Sequence, residues 1–311
     1  MTGIGAGVCY HARPFMPSAE PTSRRAFGAL TALSTLHPLS LRGLLAAQPD
    51  ATLARLVSRR TVEIDPQKQL DPLEQAARAL APLPRTQIES LGAAAREALE
   101  LLTIRPGCRA RRDLGGGALA LVEAGLALAP ANETDALAIP AAHRLQLPAP
   151  RAESRHAARG LLATLDAETR DDVILTLLGR RTSIVWPLAL EGALLRLETP
   201  AELDRLIAEQ DHTGLLALSA IEARGGEVGL DEYLDLCRET ARWSGARIPR
   251  RGTAFQLVAH ALVLPSGEGR LVMPEEVAER IGRERRTALE RRRAAAFDQT
   301  SRREDEPQRA T

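Results

Sequence analysis

CRARRDLGGGALALVEAGLALAP, Cys108 to Pro130, and SGARIPRRGTAFQLVAHALVLP, Ser244 to Pro265, are two copies of one pattern set about 135 residues apart. Each copy runs from an arginine-rich loop through a small-residue apolar helix and a short apolar segment to a proline. A second apolar segment follows in each: DALAIPAAHRLQL, Asp135 to Leu147, and GRLVMPEEVAERI, Gly269 to Ile281. Setting Leu121-Val122 over Leu257-Val258 brings the helices into register. Two short apolar runs separated by a polar or glycine-containing turn are a hairpin signal.

A helix leading straight into a hairpin is the second half of a winged-helix module. The expectation is a mainly α fold: tandem winged-helix-like modules with small two-stranded wings near 126–140 and 262–274, joined by a helical middle segment. Composition agrees. Apolar content is 44% but mostly Ala and Leu, and aromatics are 3%. That suits closely packed short helices better than a large sheet, which favours β-branched and aromatic residues.

Helix-start signals place the elements between the two copies. Asp71-Pro72-Leu73-Glu74 and Thr199-Pro200-Ala201-Glu202 each pair an N-cap and a proline with a glutamate three residues on. Thr86-Gln87-Ile88-Glu89 reads as a capping box, and Ile88, Leu91, Ala95, Ala98, Leu99 and Leu102 then share one face of a helix ending before Pro106. Asp166 opens another, which Gly179 closes. The organisation expected is a disordered 1–22, a helical cap region 23–82 and a first module 84–148. A linker and helical middle segment, 149–212, follows, then a second module 213–282. Its helices are expected at Leu215–Arg224 and Asp231–Arg242, ahead of the one holding Phe255. An arginine- and glutamate-rich, disordered tail covers 283–311.

Charge and rare residues exclude several functions. Forty-one basic and forty acidic residues give a net charge of +1, so any basic surface must be local. Lys68 is the only lysine, and it sits in Pro66-Gln67-Lys68-Gln69 with no glycine before it. P-loop, kinase-type, pyridoxal Schiff-base and Ser-x-x-Lys chemistry all require a lysine in other surroundings. No enzymatic role, no cofactor and no ATP use are expected. Cys9, Cys108 and Cys237 are isolated and fit neither a disulfide framework nor a CxxC metal pair, which points to a reducing cytosol. The longest apolar stretch, Gly115 to Pro130, is too short to span a bilayer and carries Glu123. Ser23-Arg24-Arg25-Ala26-Phe27 is similar to a twin-arginine export signal, but His37, Pro38 and Arg42 break the apolar region after it. A cytoplasmic protein with an ordinary N-terminal helix is the reading, with Met16 an alternative start.

The runs LRGLLAAQPDATLARLVSRR, Leu41 to Arg60, and LDPLEQAARALAPLPRTQIESLGAAAREALELL, Leu70 to Leu102, resemble the N-terminal part of bacterial helicase-associated proteins. These are related to the N-terminal domain of XPB/Ssl2-type helicases. The apolar-apolar-Met-Pro-Glu-Glu-Val of Leu271 to Val277 is similar to the motif closing the wing in that family, and Leu137-Ala138-Ile139-Pro140 is a looser match. The resemblance covers roughly residues 40–150 and 213–282 and implies tandem winged helices, sometimes joined to a helicase motor. This chain carries no motor.

In a winged helix the third helix enters the major groove, while the loop before it and the wing meet phosphates. Candidate nucleic-acid contacts are Arg105, Arg109, Arg111 and Arg112 in the first copy, and Arg247, Arg250, Arg251, Thr253 and Gln256 in the second. Arginine forks suit phosphate and guanine edges. Arg250 and Arg251 stand directly before the helix, whereas Asp113 and three glycines intervene in the first copy, so the second is expected to contribute more. Gly115-Gly116-Gly117 reads as a flexible start to a helix, and His143 and His260 as packing residues at corresponding ends of the modules. Trp186 and Trp243 read as core anchors. The partner expected is double-stranded DNA, with a helicase or other protein beside it. A protein-interaction scaffold using the same modules is the alternative.

Overall fold

The computed structural model describes residues 37–60, 71–104, 107–131, 133–178, 185–239, 252–266 and 269–304, and it is mainly helical. Three helices come first: α1 (Leu41–Ala46), α2 (Asp50–Arg59) and α3 (Pro72–Leu80). Ser40 caps α1 by accepting the Gly43 N–H at 3.0 Å, and Asp71 caps α3 through Leu73 at 3.4 Å with Pro72 in the first position.

The expected helix from Ile88 to Leu102 is instead two. α4 (Arg85–Glu89) begins at Pro84, so Thr86 lies inside it and caps nothing. Ser90 turns its hydroxyl back on the Gln87 carbonyl at 3.0 Å, Leu91 drops into the core, and α5 (Ala93–Ile104) starts afresh after Gly92. A serine and a glycine two residues apart compete with helical bonding and let the chain bend.

The first repeat continues with β1 (Arg109–Ala110), a one-turn 3-10 helix (Arg111–Leu114), α6 (Gly117–Glu123), β2 (Ala136–Leu137) and α7 (Ala141–Arg144). The middle helices are α8 (Ala158–Thr164), α9 (Ala167–Leu178), α10 (Trp186–Glu198) and α11 (Pro200–Ala208). At α11 the expected cap is realised only by its proline: the Thr199 hydroxyl donates to the Leu195 carbonyl of α10 at 2.7 Å instead. The second repeat follows as α12 (His212–Ala223), β3 (Glu227–Gly229), α13 (Leu230–Leu236), α14 (Thr253–Ala259), β4 (Leu264–Ser266), β5 (Arg270–Val272) and α15 (Glu275–Glu304). α13 is shorter than expected because Arg238 takes a positive φ of 56° and turns the chain. Position 283, set above as the start of the tail, lies within α15, whose Arg, Glu and Ala content favours a helix.

The two repeats share backbone detail in the register that sets Leu121 on Leu257. Leu126 N donates to Leu121 O, and Leu262 N to Leu257 O, each at 2.9 Å. Beyond the helix, Leu128 bridges Ala138 antiparallel as Leu264 pairs with Val272. The two sheets differ from the bare hairpins expected. Each gains a strand from earlier in its repeat: Arg109 pairs with Leu137, and Val228 with Leu271, giving the order β3-β5-β4 in the second sheet. Strands of two or three residues are too short to show alternation, so β1 and β3 carry no signal in the sequence.

Apolar burial divides into three cores. The first joins α1–α3 to Leu128, Ala138, Ala142 and Leu188; the second gathers α5, α6 and the first sheet; the largest holds the middle helices and the second repeat. α10 ties the first and the largest together, since Leu188 belongs to the one and Leu190 and Leu194 to the other. The fully buried Glu191 of α10 accepts the Leu41 N–H at 3.0 Å, and Arg144 of α7 forks onto Glu198 at 2.5 and 2.7 Å. Pairing of this kind offsets part of the cost of taking acids and arginines out of water. Among the described residues, no helix is long and apolar enough to cross a membrane.

Candidate functional site

The sequence places its sharpest expectation at the start of α14. Four of the nine candidate residues, Arg105, Arg247, Arg250 and Arg251, lie outside the described residues, as does Trp243. Thr253 opens α14, but it is half-buried and its hydroxyl donates to the Asp211 carboxylate at 3.1 Å. Asp211 meanwhile caps α12 through the Gly214 N–H at 2.6 Å. Glu239 accepts the Ala254 N–H at 3.0 Å, and a side chain at Gly252 would overlap that carboxylate. Two carboxylates therefore occupy the helix N-terminus, where a phosphate would look for free N–H groups and a positive dipole end.

The rest of α14 is engaged in part. Thr253, Gln256 and His260 form its open stripe, and Gln256 is the exposed member. His260 Nδ1 lies 2.7 Å from Gln210 Nε2. α9 packs along the helix, and Val173, Ile174 and Phe255 share one core. Tyr233 donates to the Ala254 carbonyl at 2.8 Å, and burial pushes the neighbouring Cys237 thiol up to about 12, a protonated and unreactive group.

The first repeat presents a different surface. Its described candidate arginines are not in a loop: Arg109 sits in β1 with Nε 3.2 Å from the Leu101 carbonyl, and Arg111 and Arg112 ride the 3-10 turn. Arg112 is 88% exposed, with Asp113 3.7 Å away. Gly117 is no flexible start, because a Cβ there would overlap the Ala94 carbonyl oxygen of α5. α6 can lie that close to α5 through the missing side chain. Beyond it, Leu119 stands 66% exposed.

Elsewhere many exposed arginines face acids. Arg270 in β5 meets Glu227 at 2.5 Å, and this hydrogen bond holds the Glu227 carboxyl below its ordinary range. Arg224 pairs with Glu232 at 2.6 Å and Arg285 with Glu222 at 3.1 Å. The local basic surface that a near-neutral chain would need is thus partly cancelled on the second repeat.

Two buried titratable groups stand apart from these surfaces. Glu276, in the first turn of α15, accepts the Ala158 N–H at 3.0 Å, and burial raises its carboxyl to about 7. His143 has Nε2 2.9 Å from the Leu80 carbonyl, and burial lowers it to about 4. It lies in α7, after the first sheet, while His260 ends α14, so the two are not equivalent positions. Among the described residues, His, Cys, Asp and Glu assemble no group of three able to hold a metal ion. Trp186 is half-buried against the largest core, with the Arg170 guanidinium 4.8 Å from its ring centroid.

No protein-family model, no curated protein and no solved structure matches the chain.

Proposed function

We propose that the chain is a non-catalytic association protein, in which two winged-helix modules fused by the middle helices serve as a docking scaffold for other proteins. The winged-helix reading is supported by the shared order of helix, strand, helical segment, helix and hairpin, with the early strand beside the last one in each sheet. One observation carries the choice of partner. The helix expected to enter a DNA groove, α14, has α9 packed along it and the carboxylates of Glu239 and Asp211 at its N-terminus. An anion approaching there meets fixed negative charge before it meets the dipole. The helicase-associated family it resembles sometimes joins such modules to a motor, and with Lys68 its only lysine the chain would leave ATP-driven work to a partner.

A second reading, duplex DNA binding, keeps the support of Arg111 and Arg112, which stand exposed before α6. Titration with random-sequence duplex at low salt separates the two. The association reading expects no saturable binding at micromolar protein, whereas binding that weakens steeply with salt favours the DNA reading.

A further inference from the structure

The three opening helices and the first repeat enclose a cavity of about 490 Å³ between them. Its floor is apolar, made by the buried Leu45 of α1, Leu56 of α2, Leu80 of α3 and Leu128. Its rim is polar and is stitched to backbone carbonyls on the facing walls. Arg59, which ends α2, donates to the Glu123 carbonyl at the end of α6, and Gln87 of α4 donates to the Ala124 carbonyl. Arg60 donates to the Pro82 carbonyl at 2.9 Å. Two guanidiniums are thus held at the opening, against the one exposed carboxylate of Glu123. Among the described residues Arg59 makes no ion pair. His143 borders the cavity as well, and its buried Nδ1 makes no hydrogen bond, so the lining leaves one of its own polar atoms open. The repeats differ at this point. In the register that sets Leu121 on Leu257, Ala124 on the rim corresponds to His260, whose half-buried ring sits with Nδ1 2.7 Å from Gln210 Nε2. The first repeat carries only a methyl group there, and the opening stays clear.

We infer that this cavity binds a small amphipathic organic acid, its hydrocarbon body against the leucines and its carboxylate between Arg59 and Arg60. A cavity of this size, apolar below with a few placed polar groups above, is the usual form of a small-molecule site. A hydrocarbon body gains by leaving water for the leucine floor. A carboxylate matches the fork of a guanidinium, and side chains already pinned by carbonyls lose less freedom when it arrives. A neutral hydrocarbon would make no use of the rim, and an inorganic anion none of the floor. The inference goes beyond the association reading and stands apart from it.

Octanoate is the probe and 1-octanol its uncharged counterpart, each titrated calorimetrically into the full chain. Octanoate is expected to bind saturably with a Kd below about 1 mM, and more tightly than octanol. Arg59→Gln plus Arg60→Gln keeps an amide donor for the two carbonyls while removing the charge. It is expected to weaken octanoate by about tenfold and to leave octanol unchanged. Ala124→His installs the residue that the second repeat carries at the matching place and is expected to weaken both ligands. It stands at a half-buried rim position, so an unchanged far-ultraviolet spectrum is expected and the variant stays informative if the double substitution does not fold. Absence of saturable octanoate binding overturns the inference, as does octanoate binding that Ala124→His leaves unchanged, which would place the ligand elsewhere. Octanol binding as tightly as octanoate, with neither altered by the double arginine substitution, overturns it in favour of a neutral ligand. Each of these failures leaves the association reading standing, because that reading is decided by duplex binding.

Discussion

Gly125 and Ala261 occupy the same place in the two repeats, just past α6 and α14, and both hold a left-handed φ, 68° and 57°. The residue that follows each turns its N–H back to Leu121 or Leu257. Glycine takes this conformation freely, while alanine carries a strain of about 1–2 kcal/mol.

Gly125→Ala is therefore expected to destabilise the fold by about 2 kcal/mol or more, since the new Cβ would also lie 2.8 Å from Leu56 Cδ2. Ala261→Gly should stay within about 1 kcal/mol of the wild type, because relief of strain offsets the loss of a buried methyl. Chemical denaturation of both variants checks the asymmetry. Equal effects would mean that the two turns are not equivalent.

The repeat was legible because it rests on side-chain pattern, and the backbone bonds from Leu121 and Leu257 follow it. What sequence could not reveal was the pairing that the pattern does not encode. β1 and β3 are two and three residues long, and their partners are fixed by where β2 and β5 already lie. The site was legible only in part. Arg111 and Arg112 stand open as a charge count suggests, but Thr253 is claimed by Asp211, 42 residues away in sequence. Glu239 reaches the start of α14 through a fold-dependent contact of the same kind. No local spacing announces either.

The three consecutive glycines should respond very differently to alanine. Gly117→Ala is expected to cost about 1–3 kcal/mol through overlap with Ala94, which helix α5 cannot easily move. Gly116→Ala has open space and an ordinary helical φ of −65°, so it should be neutral or mildly stabilising. Thermal unfolding of the pair decides, and similar melting points would remove the close α5–α6 approach.

Glu276 and His143 give opposite pH dependences. The Glu276 carboxyl, raised from 4.5 to about 7, binds its proton more tightly when folded, so its contribution is present below pH 4.5 and is lost as pH rises through about 7. His143, lowered from 6.5 to about 4, contributes stability above pH 6.5 that is lost as pH falls through about 4. The two slopes nearly cancel between pH 4.5 and 6.5. Glu276→Gln should uncover the His143 slope, with stability rising over that window. It should also be more stable than the wild type at pH 8, by an amount of order 1–3 kcal/mol. Urea midpoints measured from pH 4.5 to 8 would show this, and a variant less stable at pH 8 would mean that the charged form is the favoured one.

Glu239→Ala removes the carboxylate at the start of α14 and is expected to cost about 1 kcal/mol, as lost helix caps do. Glu239→Gln keeps an oxygen acceptor for Ala254 and should lose less. Denaturation curves in which Glu239→Gln is the worse of the two would contradict the capping role.

The salt dependence of duplex binding tests the central claim most directly. Log affinity for random-sequence duplex against log salt, compared between the wild type and Arg250→Ala plus Arg251→Ala, reads how many phosphates the start of α14 engages. With Glu239 and Asp211 holding that N-terminus and α9 packed against one side of the helix, the double substitution is expected to leave any residual low-salt binding and its slope unchanged. A slope that falls by about 2, near 0.9 for each arginine, would place phosphates on those residues and contradict the association reading.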